Sequence, residues 1–66
     1  MLKISIRAAR VNAGLTQVEA ADLLDVSEST LVKWESRPEL IPAYKQRAIS
    51  ETYQIPIDNL IFLPNG

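Results

Sequence analysis

The chain contains no cysteine and no histidine. The first absence excludes disulfides, and together they leave only carboxylates to build a zinc site, an uncommon ligand set, so no metal and no cofactor is expected. They also remove the usual imidazole base and the thiol nucleophile. The acidic residues are scattered, with no pair in a pocket-forming context, so catalysis is not expected either. Gly14 and Gly66 are the only glycines, too few for a phosphate-cradling loop, and nothing else signals a small-molecule ligand. No apolar run approaches the roughly 20 residues of a membrane span, and Met1-Leu2-Lys3-Ile4-Ser5 lacks the apolar core of a signal peptide. A soluble, cytoplasmic protein with no membrane association is expected. An excess of either charge is missing too: seven basic against eight acidic side chains give a net charge of -1. This argues against a general polyanion binder working by charge excess, and any contact with nucleic acid must depend on where individual charges fall.

What is present suffices for one core. Sixty-six residues, 47% of them hydrophobic, predict a single domain over residues 1–66. Leu2, Ile4 and Ile6 alternate with Lys3, Ser5 and Arg7, a period of two that reads as a short strand or arm, after which Ser5 can cap a helix over Ile6–Asn12. Gly14 suits the left-handed end of that helix. Thr16-Gln17-Val18-Glu19 has the capping-box pattern and opens a second helix, with Val18, Ala21 and Leu24, flanked by Ala20 and Leu23, as its expected apolar face. Asp25 tolerates left-handed backbone, so a tight turn delivers the chain to Ser27, the cap of a third helix running to about Ser36. The segment from Ser36 through Pro42 holds two prolines, Pro38 and Pro42, and reads as a surface loop. A fourth helix follows, with Tyr44, Ala48, Ile49 and Tyr53 expected inward, then a short fifth led by Asp58, with Leu60 inward. Ile61-Phe62-Leu63 could pair with the Leu2–Ile4 arm, close the core or form an interface.

The third helix divides into two sides. At about 100° per residue, Glu28, Val32, Ser29 and Lys33 fall near 0°, 40°, 100° and 140°, one continuous outward face, while Thr30, Leu31 and Trp34 lie opposite. Leu31 and Trp34 are therefore expected in the core. The outward set can read base edges in a major groove: lysine donates to guanine, glutamate accepts from cytosine, serine serves either way, and valine can touch a thymine methyl. Any amphipathic helix shows a polar outer face, and first-turn Glu28 is equally explained by the helix dipole. The distinguishing feature is the capped helix and tight turn immediately before it. Together they make a helix-turn-helix over residues 16–36, the geometry that puts a second helix into the groove while the first crosses the backbone.

The same residues carry a family resemblance. Gly14-Leu15-Thr16-Gln17, Glu19-Ala20-Ala21, Leu23-Leu24, Val26-Ser27, Ser29-Thr30-Leu31 and Lys33-Trp34-Glu35, continuing through Tyr53-Gln54-Ile55 and Asp58-Asn59-Leu60, resemble the lambda-repressor-like Cro/repressor (Xre-type) family of phage and bacterial regulators. The resemblance implies an all-α, five-helix domain that binds double-stranded operator DNA, usually as a homodimer. It implies that Glu28, Ser29, Val32 and Lys33 lie on the base-reading face, and that Gln17, Ser27, Ser36 and Arg37, with Lys45 nearby, contact the DNA backbone. It also implies an architectural pairing of Arg10 with Glu35. Departures from the family pattern bear on affinity and strain: Asp25 and Gln54 stand where glycine is usual, the loop after Glu35 is poor in lysine, and Glu28 adds negative charge to the reading face. The acidic balance keeps a second function open, a protein-interaction module of antirepressor or antitoxin type on the same scaffold.

Overall fold

Each of the first three helices begins on a hydroxyl side chain. In the computed structural model, which describes residues 3–64, α1 spans Ile6–Asn12, α2 Gln17–Leu23, α3 Glu28–Ser36 and α4 Ala43–Tyr53. Ser5 Oγ accepts from the Ala8 amide at 3.1 Å and Ser27 Oγ from the Thr30 amide at 3.2 Å. At α2 the box is reciprocal: Thr16 Oγ1 accepts from the Glu19 amide at 3.1 Å, and the Thr16 amide donates to Glu19 Oε1 at 2.9 Å. Those bonds hold the Glu19 carboxyl below its ordinary pKa. Helix α4 starts without a side-chain cap, on Pro42, whose carbonyl accepts from both Lys45 and Gln46.

Three helices end alike, each on a residue in left-handed backbone: Gly14 at φ 76°, Asp25 at φ 58° and Gln54 at φ 57°. After α1, Leu15 N–H reaches back to Arg10 O at 3.2 Å and Gly14 N–H to Val11 O at 3.0 Å; after α2, Val26 N–H reaches Ala21 O at 3.0 Å and Asp25 N–H reaches Asp22 O at 3.2 Å. Both pairs are the 6→1 and 5→2 bonds of a Schellman ending. After α4, Ile55 N–H bonds Ser50 O at 3.1 Å, and Ser50 Oγ returns a bond to Ile55 O at 2.6 Å. The turn between α2 and α3 is thus closed by backbone bonds on one side and the Ser27 cap on the other.

The core is built from Ile6, Ala9, Ala20, Ala21, Leu24, Leu31, Trp34, Ile41, Ile49, Tyr53 and Leu60. Helix α2 contributes mainly alanines, so its backbone lies close against α3. That placement corrects the expected apolar face: Val18 and Leu23 are each 60% exposed. Each sits roughly 60° beyond an edge of the Ala20–Ala21–Leu24 arc, on opposite sides of it. Tyr44 is likewise turned out, 75% exposed. Five residues at about 100° each carry it roughly 140° away from buried Ile49.

The segment expected as a surface loop is partly internal. Pro38–Leu40 forms a one-turn 3-10 helix, Pro38 and Ile41 are buried, and the Gln46 amide holds Ile41 O at 3.1 Å. Pro38 also explains where α3 stops, because its ring disfavours helical backbone at Arg37, which sits at φ -133°, ψ 73°. The fifth helix is only a 3-10 turn, Ile57–Asn59, so among the described residues there are four α-helices and no strand. The terminal segments meet through a single parallel bridge, with Ile4 N–H on Asn59 O at 2.7 Å and Ile61 N–H on Ile4 O at 3.0 Å. The pairing expected of Leu2 lies outside the described residues. Ile61 and Phe62 are half-buried, Phe62 against the core, while Leu63 is exposed.

The left-handed helix ends predict opposite responses to substitution. Gln54→Gly is expected to stabilise the domain by about 1 kcal/mol, raising Tm by roughly 4–8 °C, because a side chain is relieved of left-handed strain. Gly14→Ala is expected to lower stability by about the same amount. An added Cβ at Gly14 meets nothing within 4 Å, so that loss is one of backbone conformation alone. Thermal melts of the two variants check both signs.

Candidate nucleic-acid interface

The elements around α3 are tied together by one buried ion pair. Arg10 of α1 donates from Nε to Glu35 Oε2 of α3 at 2.6 Å, with the two side chains 10% and 5% exposed. Its Nη1 donates to Leu15 O at 2.8 Å, in the loop between α1 and α2. Gln17, the first residue of α2, donates from Nε2 to Glu35 Oε1 at 3.0 Å. One carboxylate near the end of α3 is therefore gripped from α1 and from the start of α2. Tyr53 of α4 completes the surroundings; among the described residues its buried hydroxyl has no hydrogen-bond partner. Burial first, and then the Glu35 charge, push its pKa up to about 12, against a smaller opposing effect of Arg10.

Held this way, α3 turns Leu31 and Trp34 into the core and leaves Glu28, Ser29, Val32 and Lys33 exposed. Ser36 is exposed as well. At about 80° on the same wheel it falls between Val32 and Ser29, inside the outward arc rather than in the loop beyond it. Its Oγ is turned back onto Val32 O at 3.1 Å. The helical step from Glu28 could have revealed this from sequence alone. Ser27 Oγ also bonds Thr30 Oγ1 at 2.8 Å and lies 3.1 Å from Ser29 Oγ, so the hydroxyls at the start of α3 form a local cluster. Arg37 is exposed just past the helix.

Two residues expected at the DNA backbone, Gln17 and Lys45, have partners within the protein. The Gln17 amide is directed at Glu35, as described, and the side chain is half-buried. Lys45 directs its ammonium onto Leu24 O at 2.5 Å and lies 5.8 Å from the centre of the Tyr44 ring. The physical reason is at the end of α2, which has no basic side chain in its last turn to meet its C-terminal carbonyls. Neither pairing has a local sequence signature, since the partners are 18 and 21 residues away. The exposed face thus carries Glu28, Lys33 and, at its end, Arg37 as its charged groups. No helix among the described residues is long and apolar enough to cross a membrane.

Comparison with known proteins places this geometry. A family model described as helix-turn-helix matches residues 6–60, from the start of α1 to the residue bridged to Ile4. No curated protein and no solved structure matches the chain.

The ion pair predicts strongly non-additive mutants. Arg10→Met is expected to destabilise by about 3–5 kcal/mol, because it leaves Glu35 charged and buried; Arg10→Met combined with Glu35→Leu is expected to recover most of that loss. Chemical denaturation of the two singles and the double measures the coupling, and simple additivity contradicts it. Tyr53 predicts an alkaline response of defined sign. Unfolded tyrosine releases its proton near pH 10 and folded Tyr53 near 12, so between these values the unfolded chain binds fewer protons and stability falls as pH rises. Tyr53→Phe removes that share of the slope and Tyr44→Phe does not, as read from denaturation midpoints between pH 9 and pH 12.

Proposed function

The chain belongs to the Cro/repressor (Xre-type) class of the helix-turn-helix family, and from that premise we propose that it is a sequence-specific repressor that lays α3 in the major groove of double-stranded DNA. The observation that carries this reading is the division of α3. Leu31 and Trp34 anchor it, while a contiguous arc of Glu28, Ser29, Val32, Lys33 and Ser36 has no packing role. In that pose Lys33 donates to guanine O6 or N7, Glu28 accepts from a cytosine amino group, Ser29 bonds either kind of edge, and Val32 meets a thymine methyl. Ser27 and Arg37 flank the arc and, with Ser36 inside it, approach phosphates. Gln17, at the start of α2, offers the amide N–H that Glu35 does not occupy.

One copy of so nearly neutral a face binds weakly, and a homodimer across two half-sites about one helical turn apart supplies the missing affinity. The exposed Leu63, beside half-buried Ile61 and Phe62, offers apolar surface for such a contact. The competing reading is a module that binds an acidic-tolerant protein partner. It is favoured by the net charge of -1 and by the exposed Val18 and Leu23 of α2.

Selection from a random duplex library, followed by salt titration on the winner, separates the two. DNA binding gives an enriched half-site and a plot of log affinity against log salt falling by about 0.9 per neutralised phosphate. Failure to enrich any sequence, or a flat salt response, overturns the proposal in favour of a protein partner. On the selected duplex, Lys33→Ala is expected to relax preference at one base position by about 1–3 kcal/mol with the fold intact, whereas Leu31→Ala is expected to lower stability by about 2–5 kcal/mol. Equal thermal destabilisation by the two contradicts the division of α3.

A further inference from the structure

The ammonium of Lys45 crosses from α4 to the carbonyl of Leu24, the residue that closes α2 and opens the turn into α3. We propose that Lys45 is a positioning residue for DNA reading, a cationic clamp on the α2–α3 turn rather than a phosphate contact. Three features of the turn make such a clamp effective. Asp25 holds left-handed backbone at φ 58° without being glycine, so the turn is less favoured by its own residues than a glycine turn and gains from an added tether. The last turn of α2 has no cation of its own, and the Schellman bonds engage Ala21 O and Asp22 O but not Leu24 O. Glu28 and Ser29, the first two residues of the outward arc, lie within five residues of Leu24 in sequence, so displacement of the turn is carried directly to them.

The clamp is held from its own side as well. Lys45 N–H bonds Pro42 O at 2.9 Å, fixing the start of α4, and α4 packs on α1, which reaches α3 through Arg10. The turn is therefore located with respect to the same frame that locates the far end of α3. Lys45 is half-buried, and its stem can be kept while its charge is removed.

The proposal rests on the DNA-reading function above, and its test separates the two. Lys45→Met, with Lys45→Gln as a second variant that keeps a neutral donor, is compared with wild type and with Arg37→Met. On the duplex selected by wild type, Lys45→Met is expected to lower affinity by about fivefold, the size of a charge interaction at a helix end, with the salt slope unchanged. The loss of discrimination should concentrate at the base step read from the start of α3. Arg37→Met should instead reduce the slope by about 0.9. In the DNA-free protein, amide exchange at Asp25 and Val26 should quicken in Lys45→Met, be partly restored in Lys45→Gln, and stay unchanged in Arg37→Met. A reduced salt slope for Lys45→Met with unaltered exchange identifies a phosphate contact and overturns the proposal. Unaltered affinity and exchange overturn it as well. If wild type enriches no duplex, the DNA reading fails and the positioning role fails with it, while the exchange data still decide whether Lys45 clamps the turn.

Discussion

The fold depends on a carboxylate that cannot be left unpaired. Glu35 is buried near the end of α3, and removing it from water is tolerable only because Arg10 and Gln17 both reach it. Such a pair adds little net energy compared with a well-packed hydrophobic substitute, but a partly made version is heavily disfavoured. Its effect is therefore selective: packings of α1, α2 and α3 that separate these three side chains carry an uncompensated charge. Arg10 extends the constraint through Leu15 O to the loop before α2. Both helices of the helix-turn-helix are thereby referred to α1.

The other end of α3 is governed by backbone. Its first residue follows a turn closed by two reverse bonds from α2 and by the Ser27 cap, and α2 sits close because Ala20 and Ala21 occupy its inner face. The two ends of α3 are thus fixed by unlike means, an ion pair at the C-terminal end and strained turn geometry at the N-terminal end. Asp25 is well chosen among residues other than glycine, since its short polar side chain tolerates the left-handed region better than most. Gln54 at the end of α4 has no such advantage, and there the Ser50 hydroxyl reinforces the turn through Ile55 O.

Helix starts were legible in the sequence because caps are local: Ser5, Thr16 with Glu19, and Ser27 act within three residues. Helix ends at Gly14 and Asp25 were legible for the same reason. Side assignment held for Leu31 and Trp34 on α3, for Ala20, Ala21 and Leu24 on α2 and for Ala48, Ile49 and Tyr53 on α4, and missed at three positions. Val18, Leu23 and Tyr44 are apolar residues outside the buried arc, and composition does not distinguish them from Ala20 or Ile49. The buried Pro38 and Ile41 escaped notice because a one-turn helix has no period to detect. The partners of Gln17 and Lys45 were illegible for a different reason: a carboxylate 18 residues away and a carbonyl 21 residues away are brought close only by the completed fold.

The long-range bonds of Lys45 and Arg10 change how the charge balance bears on the proposed reading. Lys45 was expected near phosphate and Arg10 in an architectural pair, and both are committed to protein acceptors, a carbonyl and a carboxylate. The exposed face is left with Lys33 and Arg37 against Glu28. Nonspecific attraction scales with the number of phosphates neutralised, so a face of this kind gains little from DNA of arbitrary sequence. Base-edge bonds are not reduced in the same proportion, because they depend on geometry more than on net charge. On that reading, using cations to hold α3 in place rather than to attract the backbone lowers total affinity while raising the share of it that depends on sequence.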